Sequence, residues 1–77
     1  MKYEEFVHHA IYGSEFEGRI DGHKFSYLNV IEDKAVIIIG ETELILDDEE
    51  VFQSEIYDGK TFKELFESQR ITITDMF

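Results

Sequence analysis

Ala35-Val36-Ile37-Ile38-Ile39 is the stretch that decides the fold of this 77-residue chain. Four of the five residues are β-branched, which favours a pleated strand over a helix, and a glycine ends the run at strand length. Successive strand residues point to opposite faces, so alternate members of the run face opposite sides of the sheet. Both sets are apolar. The run therefore predicts the central strand of a small sheet that is covered on both faces.

Turn signals extend the sheet on either side of this run. Asp21-Gly22 separates two strand-like runs, and Asp-Gly is typical of a type I′ hairpin turn, which needs positive φ at both central residues. Gly40-Glu41 fits a type II′ turn and leads into Glu43-Leu44-Ile45-Leu46, which reads as a further strand. Residues 15–46 are therefore predicted to form a four-stranded antiparallel meander.

Helices are predicted near both ends of the chain. The first, over about residues 2–12, is indicated by apolar side chains at helical spacing: Tyr3, Phe6, Val7, Ala10 and Ile11. Thr61 and Glu64 have the spacing of a capping box and begin a second helix over about residues 61–69. Alternating isoleucines and threonines predict a last strand over about residues 70–75.

The segment before the second helix is ambiguous. Asp47 and Glu50 have the spacing of a helix cap, whereas residues 51–57 fit either a strand or a helix, with a slight preference for a strand. The chain as a whole is predicted to be one α+β domain over residues 1–77. Its sheet is a small antiparallel meander of four to six strands, with an N-terminal helix and a second helix near the C-terminus.

Acidic residues are concentrated around the apolar run. The formal charge is −11, from 18 acidic and 7 basic residues. The window from residue 32 to residue 50 holds one lysine, Lys34, and eight acids: Glu32, Asp33, Glu41, Glu43, Asp47, Asp48, Glu49 and Glu50. Such a charge opposes binding to nucleic acid or to anionic membranes, and it favours a basic protein partner.

Catalytic, cofactor and metal sites are not predicted. Gly59-Lys60-Thr61 imitates the end of a phosphate-binding loop, but Ser54 stands where that loop needs its first glycine. The chain has no cysteine, no serine in a nucleophile elbow, and no calcium-loop spacing in its acidic run. We therefore expect no enzyme, no cofactor and no metal. The lack of cysteine, of a long apolar segment and of a signal-like N-terminus predicts a cytoplasmic protein.

The acidic window predicts a binding surface. Strands advance about 3.3 Å per residue and lie about 4.8 Å apart, which can array carboxylates at separations comparable to those of DNA phosphates. In bulk composition the chain is similar to phage DNA-mimic inhibitors and to immunity proteins that block basic nucleases. This likeness implies a non-enzymatic inhibitor that occupies a basic nucleic-acid-binding surface. The eight acids would contact the partner, with Tyr27, Phe52 or Tyr57 as anchors at the rim.

Two other interpretations stay open at this point. The charge can serve solubility alone, as solvated charged faces commonly do. Both helices can also lie on the same face of the sheet, which would leave Val36, Ile38 and Ile45 to be covered by a second copy in a homodimer. The alternative function is therefore a homodimeric structural or accessory protein.

Overall fold

A computed structural model describes all 77 residues and contains one five-stranded sheet and two helices. In chain order the elements are α1 (Tyr3–Ile11), β1 (Phe16–Ile20), β2 (His23–Leu28), β3 (Lys34–Ile39), β4 (Thr42–Asp47), α2 (Phe62–Glu67) and β5 (Ile71–Met76). The strand order is β4-β3-β2-β1-β5, and every neighbouring pair is antiparallel. The predicted α+β fold is confirmed. No helix has both the length and the apolar character needed to cross a membrane.

Both predicted hairpin turns are present. Asp21 and Gly22 have φ angles of 47° and 81°, as a type I′ turn requires. Gly40 has a φ of 59° whereas Glu41 does not have a positive φ, which matches a type II′ turn. These turns set the registers of the β1–β2 and β3–β4 hairpins, and both registers run without interruption.

The apolar run forms β3, but β3 is not the central strand. β2 occupies the middle of the sheet, because β5 returns from the end of the chain to pair with β1. One face of β3, formed by Ala35, Ile37 and Ile39, is buried. On the other face Val36 is 4% exposed and Ile38 is partly exposed. Neither helix packs on this second face, which we call the uncovered face, so the expectation of cover on both sides was wrong for Ile38.

The core lies between the sheet and the two helices. The ring of Phe6 on α1 lies 4.6 Å from the ring of Phe16 on β1 and 4.9 Å from the ring of Phe62 on α2, measured between centroids. Val36 is the one buried apolar residue outside this core cluster, because its side chain points to the uncovered face. Both helices therefore lie on the same face of the sheet. Burying a Phe side chain contributes about 1.5–3 kcal/mol, so the aromatic cluster is a main source of stability.

Residues 48–60 form turns rather than a strand or a helix. The preference for a strand over residues 51–57 was wrong, and Asp47 with Glu50 does not cap a helix. Val51 and Ile56 are buried against the core, whereas the backbone of residues 51–60 makes only local hydrogen bonds, including those of the bridge between Tyr57 and Lys60. The apolar residues of this segment therefore seal the core and do not extend the sheet.

β5 joins β1 through a bulge next to Gly18. The register shifts between Glu17 and Gly18. A Cβ atom at Gly18 would lie 2.0 Å from the backbone oxygen of Thr72, so the close approach of the two strands requires glycine.

Candidate protein-binding surface

Most of the eight acids that were predicted to bind a partner lie at one end of the sheet. In an antiparallel order β4-β3-β2-β1-β5, the loop from β2 to β3 lies at the same end as the exit from β4. The loop is formed by residues 29–33 and the exit by residues 47–50, and we refer to these two segments as the acidic end. Six of the eight predicted acids belong to it: Glu32, Asp33, Asp47, Asp48, Glu49 and Glu50.

A backbone hydrogen bond joins the two segments. The N–H of Asp48 donates to the backbone oxygen of Asp33 at 3.1 Å, which continues the β3–β4 ladder by one step beyond the strands. Asp33, Asp47, Asp48 and Glu49 line a shallow depression of about 270 Å³. No three His, Asp or Glu side chains of the molecule converge in a geometry that could hold a metal ion. The four carboxylates instead line the same depression, on backbone that the β3–β4 ladder holds in place.

Lys34 is the single cation that pairs with this group. Its Nζ atom donates to the carboxylate of Asp47, directly across the β3–β4 ladder. The pKa of Lys34 is raised, first by this hydrogen bond and by the charge of Asp47, and then by the charges of Asp33 and Glu50. The other five acids of the group have no salt bridge. The acidic end therefore has a large uncompensated negative charge.

Glu41 and Glu43 do not belong to this surface. Glu41 lies in the β3–β4 turn at the opposite end of the sheet. Glu43 is on β4, four residues before Asp47, and is therefore about 13 Å from it along the strand. The prediction treated all eight acids as one surface. The structure brings six together and separates two, because a strand carries its residues from one end of the sheet to the other.

Exposed apolar side chains lie at the same end of the sheet as the acidic end. β1 begins and β5 ends there, and the α1–β1 connection also lies there because it leads into β1. Of the eight large apolar side chains that are exposed in the molecule, six belong to these segments: Ile11, Tyr12, Val30, Ile31, Met76 and Phe77. These six residues were not predicted from the sequence as a group. The available signal was that Tyr12, Val30 and Ile31 continue apolar runs beyond the ends of their helix or strand.

The proposed aromatic anchors are placed differently from expectation. Tyr27 is only 2% exposed and is part of the core, so it cannot reach a partner. Tyr57 lies at the other end of the sheet, beneath the guanidinium of Arg70. Phe52 is partly exposed and lines a depression of about 240 Å³ together with Ile11 and Asp48. Of the three anchors, Phe52 alone is both partly exposed and next to the acidic end.

Hydrogen bonds fix the apolar part of this end. The backbone N–H of Asn29 donates to Oε2 of Glu15 at 2.8 Å, and its side-chain amide donates to the backbone oxygen of Ser14 at 2.9 Å. Glu15 and Phe77 exchange two backbone bonds of 2.9 and 2.8 Å. These contacts join the start of β1, the end of β2 and the end of β5. The exposed side chains of this end are consequently carried by a backbone with fixed geometry.

Asp48 lies close enough to the core to raise the pKa of a buried tyrosine, Tyr27. The pKa of Tyr27 is raised to about 12, mainly because burial disfavours the charged phenolate and additionally because Asp48 is negative. Both residues line the depression that Phe52 and Ile11 border. Asp48 and Glu49 are therefore adjacent to the apolar side chains of Ile11 and Phe52.

The opposite end of the sheet carries a different charge arrangement. The Nε atom of Arg70 donates to both carboxylate oxygens of Asp21 at 3.1 Å, and its Nη2 atom donates to Asp58 at 2.9 Å. The guanidinium carbon lies 5.7 Å from the ring centroid of Tyr57. We refer to Asp21, Tyr57, Asp58 and Arg70 as the Arg70 corner. The largest concavity of the molecule, about 660 Å³, adjoins it and is lined by Glu41, Tyr57 and Asp58 among others.

Comparison with known proteins gives no relative: no family model matches the chain, and no curated protein or solved structure matches it.

Proposed function

We propose that the protein is a non-enzymatic binding module whose acidic end occupies the basic nucleic-acid-binding surface of a protein partner. The observation that supports this most directly is the combination found at the acidic end. Five unpaired carboxylates and six exposed apolar side chains lie at the same end of a rigid sheet. In this proposal the partner is a nuclease or a DNA-binding protein in the cytoplasm, and the module inhibits it in the manner of a DNA mimic.

The carboxylates and the apolar side chains would make different contributions. Unpaired carboxylates accept charge-assisted hydrogen bonds from Lys and Arg, and their summed field accelerates association with a basic surface. Desolvated apolar and aromatic anchors supply most of the affinity in protein interfaces and slow dissociation. A surface that serves solubility alone needs the unpaired carboxylates but not the exposed apolar side chains.

Release of electrostatic strain favours such a complex. Two like charges 4 Å apart in water repel each other by about 1 kcal/mol, and the acidic end holds six carboxylates against one lysine. A cationic partner relieves this repulsion on binding. The proposal therefore predicts that affinity falls steeply as the salt concentration rises.

The test compares two variants with the same change in net charge. One neutralises the acidic end by Asp48→Asn, Glu49→Gln and Glu50→Gln, which leaves the Lys34–Asp47 pair intact. The matched control neutralises Glu4, Glu55 and Glu67, which are exposed and lie outside the acidic end. The immobilised protein is used at about 50 mM and about 300 mM salt to capture basic proteins, since exposed charges are screened over this range. Captured proteins are then assayed for duplex DNA binding.

The expected result is capture of a basic protein at low salt, with loss of its DNA binding in the presence of the wild-type module. The control variant should retain this inhibition, and the acidic-end variant should lose it. Equal inhibition by both variants would contradict the proposal, as would a captured protein whose DNA binding is unaffected.

The uncovered face of the sheet supports the alternative of a homodimer. Leu28, Val36 and Ile45 form a cross-strand row on this face, and Ile45 is 52% exposed. A second copy could cover this row in a two-fold symmetric arrangement. Sedimentation equilibrium between about 10 and 500 µM decides this alternative, because a dimer of even millimolar affinity changes the apparent mass over that range. A constant monomeric mass would rule it out.

A further inference from the structure

We propose that the open edge of β4 accepts an extended, basic strand of the partner as a sixth strand of the sheet. This inference deepens the proposed function, since it names the element of the partner that is recognised and a contact beyond the acidic end. It rests on three features of β4: a regular edge, free backbone groups along that edge, and a charge pattern that selects the added strand.

The two edges of the sheet differ in regularity. β4 pairs with β3 over six consecutive residues, from Lys34↔Asp47 to Ile39↔Thr42, without a register shift. β5, at the other edge, is interrupted by the bulge opposite Glu17 and Gly18, and Oγ1 of Thr74 donates to the backbone oxygen of Glu17 there. A bulge twists an edge and disrupts its hydrogen-bonding pattern. β4 therefore presents the edge that can be extended.

Backbone groups of β4 are free on the open side. In a two-residue hairpin the closing pair is hydrogen bonded, and such pairs alternate along the ladder. The closing pair here is Ile39↔Thr42, so Thr42, Leu44 and Leu46 bond to β3. The Asp48–Asp33 bond follows the same alternation. Glu43 and Ile45 must then direct their N–H and C=O groups away from β3, and neither residue makes a backbone bond to any loop or turn.

Side chains along this edge define the chemistry of the added strand. Glu43, Ile45 and Asp47 point to the uncovered face of the sheet, opposite Ile38, Val36 and Lys34 of β3. A strand with a basic residue, an apolar β-branched residue and a second basic residue at alternate positions would place its cations beside Glu43 and Asp47. The two cations would be about 13 Å apart. Opposite charges directly across a ladder are favourable, and like charges are unfavourable.

The same pattern argues against a second copy of the chain at this edge. Antiparallel pairing of two β4 strands about Ile45 would place Glu43 of each copy opposite Asp47 of the other. Shifting the centre to Leu44 would place Asp47 opposite Glu41. Both registers bring carboxylates together, which destabilises a ladder. The edge is thus suited to a basic strand and unsuited to self-association.

A short peptide provides the direct test. The probe is acetyl-Thr-Lys-Thr-Val-Thr-Lys-Thr-amide, titrated into the isotopically labelled full chain at low salt and followed by the amide NMR signals. We expect shifts in the amides of residues 43–47 and saturation at millimolar peptide or below. In an antiparallel ladder the peptide valine exchanges both backbone bonds with Ile45, and its neighbouring threonines direct their amides outward.

Peptides methylated on single backbone nitrogens separate pairing from charge attraction. Methylation of the valine backbone nitrogen should weaken binding at least tenfold. Methylation of the backbone nitrogen of the threonine directly before the valine, the third residue of the peptide, should change binding less than threefold. On the protein, Glu43→Lys should weaken binding, and Glu55→Lys, away from the edge, should not. Equal binding of the two methylated peptides would overturn the inference. So would chemical shift changes that are absent from β4 and confined to other segments, or no binding at about 5 mM peptide.

The outcome is separable from that of the proposed function. If the acidic-end variant loses a partner but methylation has no effect on peptide binding, the acidic surface acts without strand addition. If the peptide adds to β4 but no captured protein loses DNA binding, the edge inference stands and the proposed function fails.

Discussion

The acidic end and the Arg70 corner lie at opposite ends of the same sheet and differ in whether their carboxylates are paired with cations. At the Arg70 corner one guanidinium binds two aspartates and lies over the ring of Tyr57. The pKa of Asp21 is lowered there, chiefly by its hydrogen bonds from Arg70. At the acidic end one lysine binds one of six acids. Charge at the corner is compensated within the fold, and charge at the acidic end is left for solvent or a partner.

This difference separates acids that make contacts within the fold from acids that make none. Asp21 occupies a turn at positive φ, and its carboxylate ties that turn to the residue that precedes β5. The acids of residues 47–50 make no comparable contact beyond Lys34. A net charge alone does not reveal which acids hold the fold together and which are available for binding.

The largest expected effect concerns the exposed apolar side chains at the same end of the sheet as the acidic end. Tyr12→Ala combined with Ile31→Ala should weaken binding of a captured partner by about 10- to 100-fold, because anchor residues contribute about 1–3 kcal/mol in total on truncation. The unfolding midpoint in urea should hardly change, since both side chains are exposed. Isothermal titration calorimetry measures the affinity, and Lys63→Ala on α2 is the control. An unchanged affinity would show that this end binds through charge alone.

Arg70→Gln tests the opposite end. Removing the guanidinium leaves Asp21 and Asp58 without their cation and frees the face of the Tyr57 ring. We expect a lower urea midpoint at pH 7 with unchanged partner binding. Lys34→Gln should instead change the urea midpoint only slightly and should tighten binding to a basic partner. If both substitutions affect stability equally, the contrast between the two ends does not hold.

Acid titration sharpens the role of Asp21. Since its pKa is lowered in the folded state, Asp21 contributes stability above the ordinary aspartate pKa of about 4 and loses that contribution as the pH falls through the folded value. Wild-type protein should therefore lose more stability than Arg70→Gln between about pH 5 and pH 2. Urea denaturation at several pH values measures this, and identical profiles would contradict it.

Alkaline titration tests a smaller coupling at the acidic end. Tyr27 ionises with a pKa of about 12 in the folded protein, against an ordinary value of 10. The folded state thus retains its proton longer, and stability should fall as the pH rises from about 10 to about 12. Asp48→Asn should lower the pKa of Tyr27 slightly, as ultraviolet absorbance at alkaline pH reports. Glu55→Gln serves as the control and should leave it unchanged.

Local sequence patterns predicted the local structure well. Asp21-Gly22 and Gly40-Glu41 determine their turns through the φ values they permit, and Thr61 with Glu64 forms the predicted capping box. Residues 51–57 were assigned wrongly because their apolar side chains have no local period that distinguishes a strand from turns that seal a core. Of the eight acids predicted to form one surface, six lie at the same end of the sheet, and the exposed apolar side chains of that end were not predicted.

Several decisive features belong to the tertiary structure alone. Asp21 and Arg70 are 49 residues apart in sequence, and only the pairing of β5 with β1 brings them together. The same pairing places β2 in the middle of the sheet and brings Phe77 to the acidic end.

Local sequence is enough to specify the helices, the hairpins and the antiparallel meander, because each depends on residues that are near one another in the chain, and composition alone gives the amount of negative charge. The tertiary structure decided which end of the sheet each acid occupies, which face stays uncovered and which edge stays open. Those outcomes depend on the path of the chain between distant segments, and on which of the many apolar faces are buried together.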